Sequence, residues 1–445
     1  MTWTEEQIRA LVTDAGTLKR GQELTSPPKW GNLGQTDTAA WGECAGSGSK
    51  PYLTGIDLTE PAFKCSCPSR VFPCKHGVGL LLLMARQPQL LTPGTPPAWL
   101  TEWLSKRQNR QQEQVEKAVA KAESPPTDPA AREKRESQRL QRMTRSAAEL
   151  EAWLLDLVRT GLASLEKQPG SYWETQAARL VDGQLPGLAA VVRELAGLRH
   201  AGPDWTAQLL ARLGELYVLV RAFQNLPQLS DDARQEVLQQ VGVSSKKEEL
   251  LAEGTAVADT WDVAGQFTWE EDRLTARRTW LRGRATGRFA LVLEYAFGGQ
   301  GFATALVPNG SYEGALVFYP GLLPLRVVPA QLTFQNLTPA PAAQPDTTPA
   351  RLLDEYATAL SQNPWLREWP AYLHEVKPVL RPDNTWALHH EAEPSQLPLQ
   401  CTATEAWQML AVGGGYPLTF FGEWNGRCFR PLAYWPTAVA ATPAR

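Results

Sequence analysis

The 445-residue sequence has no long apolar run. Its longest, GVGLLLLMA at residues 77–85, falls far short of the ~20 residues a helix needs to cross a bilayer, so no membrane span is expected. The chain begins MTWTEEQIRALVTD, with glutamates where a secretory signal would carry basic residues ahead of an apolar stretch; the expected compartment is therefore the cytoplasm. Charge of either sign is also not in excess. Lys and Arg number 44 against 47 Asp and Glu, a net charge of -3, which gives no global attraction to nucleic acid or an anionic membrane, and any such binding must come from a local patch. Cysteine is scarce: six residues make a poor disulfide scaffold, and a reducing cytosol opposes one. Gly-x-Ser-x-Gly, a Walker lysine and His-Glu-x-x-His are all missing, which removes the enzyme classes those motifs mark.

The length itself exceeds what one hydrophobic core usually organises, and several domains are expected. Residues 4–20 space Ile8, Leu11, Val12, Ala15 and Leu18 as one face of a helix. From Trp41 to Cys67 the chain reads as three short strands broken by GSGSKP and LTEP, a small meander. GVGLLLLMARQPQLL then reads as a mostly buried helix ending before a proline. These pieces form an N-terminal module over residues 1–97. Residues 98–145 are expected to be a charged, partly helical linker; from Ser105 to Arg145 it holds 11 Lys or Arg against 6 Asp or Glu, a composition that suits a solvated connector or a phosphate-contacting arm.

Apolar residues at three- and four-residue spacing over 146–255 predict an α-helical domain, with Asp204 and Ser230 as helix starts. Near Thr260 the period shifts to alternation, and Asn309-Gly310 and Asn425-Gly426 are hairpin signals. Residues 256–445 are therefore expected to form one mixed, mainly-β domain carrying a helical insertion over 350–378. The expected class is α+β multidomain. GGQG at 298–301 and GGG at 413–415 read as turns, since neither sits in a strand–loop–helix phosphate-binding order.

Against this background one stretch stands apart. CSCPSRVFPCKH, residues 65–76, holds three of the six cysteines and one of the five histidines. Three thiolates and one imidazole are a normal tetrahedral set for structural zinc. Cys65 and Cys67 face one side of an extended segment, whereas i and i+2 on a helix project about 200° apart, so Cys74 and His76 must lie at a helix edge, where Pro73 places them. Two other readings are compatible with these residues: reduced buried cysteines beside a helix-capping histidine, and a redox pair of vicinal thiols. Cys44, Cys401 and Cys428, isolated in sequence, read as small buried hydrophobes.

The stretch, with WGECAGSGSKPY upstream, resembles the SWIM zinc finger, whose pattern is Cys-x-Cys, a variable gap, then Cys-x-His. The resemblance is firm over about residues 40–90, and the overall layout is similar to bacterial SWIM-containing proteins of this size. It implies a ββα unit with Cys65, Cys67, Cys74 and His76 holding one Zn²⁺. It further implies a protein that binds DNA or other proteins and accompanies AAA+ ATPases or von Willebrand factor A proteins.

With all four positions taken by protein, and no carboxylate between Pro61 and Leu91, the ion is expected to be structural rather than catalytic. Lys64, Arg70, Lys75 and Arg86 offset the site's formal charge of about -1 from three thiolates and Zn²⁺, or contact phosphates. Phe63 and Phe72 are expected to fill the module's core rather than stack on bases. Seventeen tryptophans, several beside charges near the C-terminus, favour a partner-binding surface over a catalytic cleft. The expectation is a non-enzymatic, zinc-stabilised interaction protein that binds nucleic acid, DNA foremost, or protein. No small-molecule substrate is expected.

Overall fold

The computed structural model describes residues 5, 8, 11–12, 15–46, 48, 50–59, 61–69, 73–107, 129–198, 202, 204–243, 245–271, 274–297, 302–304, 306–338 and 347–436. Among them are three five-stranded sheets and a helical bundle.

The N-terminal sheet contains β1 (Trp30–Gln35), β2 (Ala39–Cys44), β3 (Tyr52–Asp57) and β4 (Ala62–Cys65), antiparallel in sequence order, with β5 (Thr92–Pro93) parallel to β1. Helix α1 (Ala15–Gln22) precedes it, and α2 (Lys75–Arg86) follows β4. Helix α2 is apolar around its circumference because it is enclosed: His76 through Met84 are all buried. Its glycines permit the enclosure. A Cβ on Gly79 would come within 2.9 Å of Leu24 and one on Gly77 within 2.8 Å of Phe63.

Residues 98–107, expected to leave this module as part of a partly helical linker, are helical, but their Trp99, Leu100, Trp103 and Leu104 pack back against Ala39 and Trp41. The apolar residues of AWLTEWL recur at helical spacing and need cover, which the outer face of the sheet supplies. Gly55 on β3 lets the segment approach: a Cβ there would lie 2.6 Å from Leu100. Most of the basic arm, residues 108–128, lies outside the described residues. Its last part begins α3 (Pro129–Thr160), in which Lys134 and residues 137–142 are exposed.

Burial in α3 begins at Met143 and continues through Ala147, Leu150, Leu154 and Leu157, alternating steps of four and three that turn one stripe inward. This stripe packs with α4 (Gly170–Asp182), α5 (Pro186–Leu198), α6 (Trp205–Gln224) and α7 (Asp231–Gln240) around one core. Ser230 caps α7 by accepting from the Ala233 N–H, as expected; Asp204 precedes α6 without a side-chain cap.

After α8 (Lys247–Glu253) the second sheet contains β6 (Ala256–Glu271), β7 (Leu274–Gly283), β8 (Phe289–Phe297), β9 (Gly310–Phe318) and β10 (Val327–Leu337), ordered β10-β9-β6-β7-β8. Asn309 takes a left-handed φ of 58° at the start of β9. It turns the chain without closing a β8–β9 hairpin, since β9 pairs with β6 and β10.

The third sheet contains β11 (Trp369–Leu380), β12 (Trp386–His390), β13 (Gln396–Pro398), β14 (Leu418–Trp424) and β15 (Phe429–Pro436), ordered β13-β12-β11-β14-β15, with helices α9 (Pro349–Gln362) and α10 (Ala403–Gly413). Asn425-Gly426 closes the β14–β15 hairpin as expected, with Gly426 at φ 87°. Gly414 and Gly415 form the left-handed end of α10, and 298–301 lies outside the described residues.

One correction applies to the C-terminal half. Its strands form two sheets, and the helix expected over 350–378 stops at Gln362, with Trp369–Leu380 the central strand of the third sheet. The strand hides because both its faces are covered. Tyr372 faces the second sheet while Ala371 and Leu373 face the core beneath α9, so polarity does not alternate. Its prolines are tolerated because β14 pairs only Trp369–Val376 and β12 only Val376–Leu380. Pro370 and Pro378 thus each have a neighbour on one side.

The second sheet is the middle layer. Trp261, Val263, Leu281 and Val292 share one continuous core with Ile56, Phe63 and Leu80–Leu83 of the N-terminal module. Ala264, Trp280 and Phe289 point the other way, against Tyr372 and Phe421.

Candidate metal centre

The site forms where β4 ends and α2 begins. Register sets Cys65 opposite Thr54 on β3, and one further bond, Ser66 N–H to Leu53 O at 3.0 Å, keeps the chain extended toward Cys67. Cys74 stands at the N-cap of α2 with extended φ,ψ of -76° and 164°, so it is not on the helix. His76 lies in the first turn and is buried. The difficulty of an i, i+2 pair on a helix is thereby avoided.

The four donor atoms of Cys65, Cys67, Cys74 and His76 all lie within 4.8 Å of one another. Bonds of about 2.3 Å to sulfur and about 2.0 Å to nitrogen around a tetrahedral ion place sulfur and nitrogen about 3.5 Å apart; Cys65 Sγ and His76 Nδ1 are separated by 3.6 Å. Chemistry and spacing both fit one metal ion.

Backbone and neighbours hold the donors. The N–H of Cys67 donates to Cys65 sulfur, that of Ser69 to Cys67, and that of Gly77 to Cys74. Thr54 Oγ1 lies 3.5 Å from Cys65 Sγ, and Tyr52 packs on the His76 ring with centroids 4.8 Å apart. Without an ion the sulfurs share charge unevenly. Cys74, as hydrogen-bond donor, holds the Cys65 thiol down to about 3 against the effect of burial, with His76 assisting. That same interaction, and then burial, push Cys74 up, and burial raises Cys67. The cluster thus already favours a thiolate at its centre, which is the form a metal takes.

The basic residues divide. Lys64 on β4 and Lys75 at the start of α2 are exposed beside the cluster. Arg86 lies at the far end of α2, where Glu5 takes its guanidinium through Nε at 2.6 Å and Nη2 at 2.9 Å. Arg70 lies outside the described residues, as does Phe72, whereas Phe63 fills the core. Cys44 is buried in that core too, its thiol raised to about 11 by burial. Among the described residues no second group of His, Cys, Asp or Glu is gathered to hold a metal.

Residues 138–241 match the family model of the SWIM-associated four-helix bundle domain, the segment from the inward stripe of α3 to the end of α7. A SWIM-type Cys-x-Cys, Cys-x-His cluster therefore occurs in the same chain as the bundle that accompanies it. The match and the donor set together support a SWIM zinc finger family protein. No curated protein and no solved structure matches it.

In this chain, cysteine and histidine spacing exposes the donors directly. The supporting residues Tyr52 and Thr54 carry no such mark, because strand register alone brings them to the site. The signal available for them is their place in the meander, one strand upstream of Cys65.

Proposed function

We propose that this chain is a non-enzymatic interaction protein whose SWIM module is stabilised by one structural Zn²⁺ held by Cys65, Cys67, Cys74 and His76, and that the zinc tip contacts nucleic acid, DNA foremost, through phosphates. The observation that carries this reading is the convergence of four protein donors. A tetrahedral ion held by them keeps no position for water or substrate, and residues 61–91 supply no carboxylate to act as a base. The ion's work is to tie β4 to α2. Lys64 and Lys75 are exposed on that tip and form no ion pair among the described residues, Lys64 being attracted only by Glu102, which Lys106 already engages, whereas Arg86 is engaged by Glu5 and is left out of the contact surface.

The test is duplex DNA binding across a salt series. Affinity should fall steeply with salt, and Lys64→Gln and Lys75→Gln should each reduce the slope of log K against log salt by about 1. Binding that ignores salt, or that both variants leave unchanged, overturns the phosphate reading. A protein partner is the second reading, favoured by Trp407 at 59% and Tyr416 at 71% exposure on and just after α10. These aromatics suit a protein interface, such as that of an adaptor for an AAA+ ATPase or von Willebrand factor A complex. Retention of such a partner after nuclease treatment, lost in Trp407→Ala, would select it.

A further inference from the structure

A cavity of about 450 Å³ lies between the second and third sheets, within the range of small-molecule sites. Its lining brings together Arg282 of β7, Arg288 of the β7–β8 turn and Arg351 of α9, with Phe289, Trp369 and Tyr372 as aromatic walls. Glu355 is the only carboxylate among the lining residues, and it is paired with Arg351 at 3.0 Å. Arg282 and Arg288 make no ion pair among the described residues. Their guanidinium groups lie over Phe289 at 4.3 Å and Phe318 at 3.7 Å. The Trp369 indole N–H is buried with no acceptor among the described residues. Glu355, already engaged by Arg351, attracts Arg282 without pairing with it, so the two half-buried cations are under-compensated, which is costly to a fold, and they sit on a framework that holds them still. Asp259 accepts from the N–H groups of Ala285 and Thr286 at 3.0 and 2.9 Å and from the Thr286 hydroxyl at 2.7 Å, fixing the turn that carries Arg288.

We propose that this cavity binds a small amphipathic anion, with a planar apolar body against Phe289, Trp369 and Tyr372 and a phosphate or carboxylate met by Arg282 and Arg288. Burial pulls the Arg282 pKa down, a penalty that a bound anion removes. The site is independent of the zinc tip. The sequence-based expectation of no small-molecule ligand could not include it, because its walls come from segments far apart in the chain and meet only when the two sheets pack.

The experiment is calorimetric titration of the full-length, zinc-loaded chain with AMP, 2-naphthoate, inorganic phosphate and adenosine. AMP or 2-naphthoate should bind at one saturable site, and the tighter of the two identifies phosphate or carboxylate as the anion. Adenosine and inorganic phosphate should each bind at least tenfold more weakly than that ligand. Arg282→Gln and Arg288→Gln should each weaken it by about tenfold or more, the loss of a charge-assisted hydrogen bond, while Lys64→Gln leaves it unchanged. Absence of binding by both aromatic anions at millimolar concentration, equal binding of adenosine, equal binding of inorganic phosphate, or unaltered affinity in Arg282→Gln would each overturn the proposal. So would a lowered melting temperature in Arg282→Gln, because a cation kept for a ligand can be removed without loss of fold stability, and a cation kept for packing cannot.

Discussion

Cys67 and Cys44 pose the same chemistry in two settings. Serine at position 67 removes a donor that a tetrahedral zinc site cannot replace from nearby residues, since no other His, Cys, Asp or Glu joins the cluster among those described. Cys67→Ser is expected to purify without stoichiometric zinc, measured by elemental analysis. Cys44→Ser should retain the metal, because Cys44 sits in the hydrophobic core rather than the cluster, and should lose about 1–3 kcal/mol for a hydroxyl buried in apolar surroundings. Zinc lost from the second variant, or kept by the first, would reassign the ligands. This difference between two cysteines was legible in the sequence because spacing separates them. Cys65, Cys67, Cys74 and His76 are two i, i+2 pairs at a strand end and a helix start, whereas Cys44 has no partner within reach along the chain. The division among the cations was not legible: Arg86 and Lys75 share a helix, but only a fold that returns Glu5 to α2 distinguishes them.

At the scale of elements, two tight features show what periodicity misses. Gly55 is an unremarked residue in a strand until residues 98–107 are seen lying across it. Gly55→Val would drive a side chain into Leu100 and Trp99 and is expected to cost about 1–3 kcal/mol by overpacking, read as a lowered denaturant midpoint. The β7–β8 turn depends on Asp259. Burial alone would raise its pKa, but the N–H groups of Ala285, Thr286 and Thr260 and the Thr286 hydroxyl outweigh burial and hold it below the ordinary carboxylate value. A folded-state pKa below the unfolded one adds stability that is fully present above the unfolded value, near 3.8, and is lost as pH falls through the folded value. Amide exchange at Ala285 and Thr286 should therefore lose protection below about pH 4, and Asp259→Asn should weaken that protection already at neutral pH. Strand β11 makes the converse point about legibility. Helix α9 can be read from its Thr348 cap and apolar stripe, but a strand covered on both faces has no polar alternation to betray it.

At the scale of the whole molecule, the finger is not a separable bead. A reading of the sequence in modules expects loss of zinc to unfold residues 40–90 and spare the helical bundle, and nothing in the local pattern records which distant sheet α2 will meet. In the structure, Leu80–Leu83 of α2 and Trp261, Val263 and Leu316 of the second sheet belong to one core, while the bundle from Met143 to Val241 has its own. The β4–α2 junction, where the four donors converge, therefore anchors one wall of the middle layer. Beyond that layer, Glu423 on β14, 2% exposed, receives the Trp280 indole at 2.6 Å and Arg278 at 3.1 Å, binding the second sheet to the third. Removing zinc with a chelator should accordingly accelerate amide exchange in α2 and also in β6 and β9, leave α4 to α6 of the bundle protected, and reach β14 least, because that strand is held from the opposite face by a buried ion pair. Glu423→Ala should give the reverse gradient, costing about 1–3 kcal/mol for a buried Trp280 indole left without its acceptor, since Glu368 still holds Arg278 at 3.1 Å, with exchange rising in β7 and β14 while zinc stays bound. Protection lost only within residues 40–90 on chelation would mean that the shared core carries no coupling, and the finger would then be a domain in its own right.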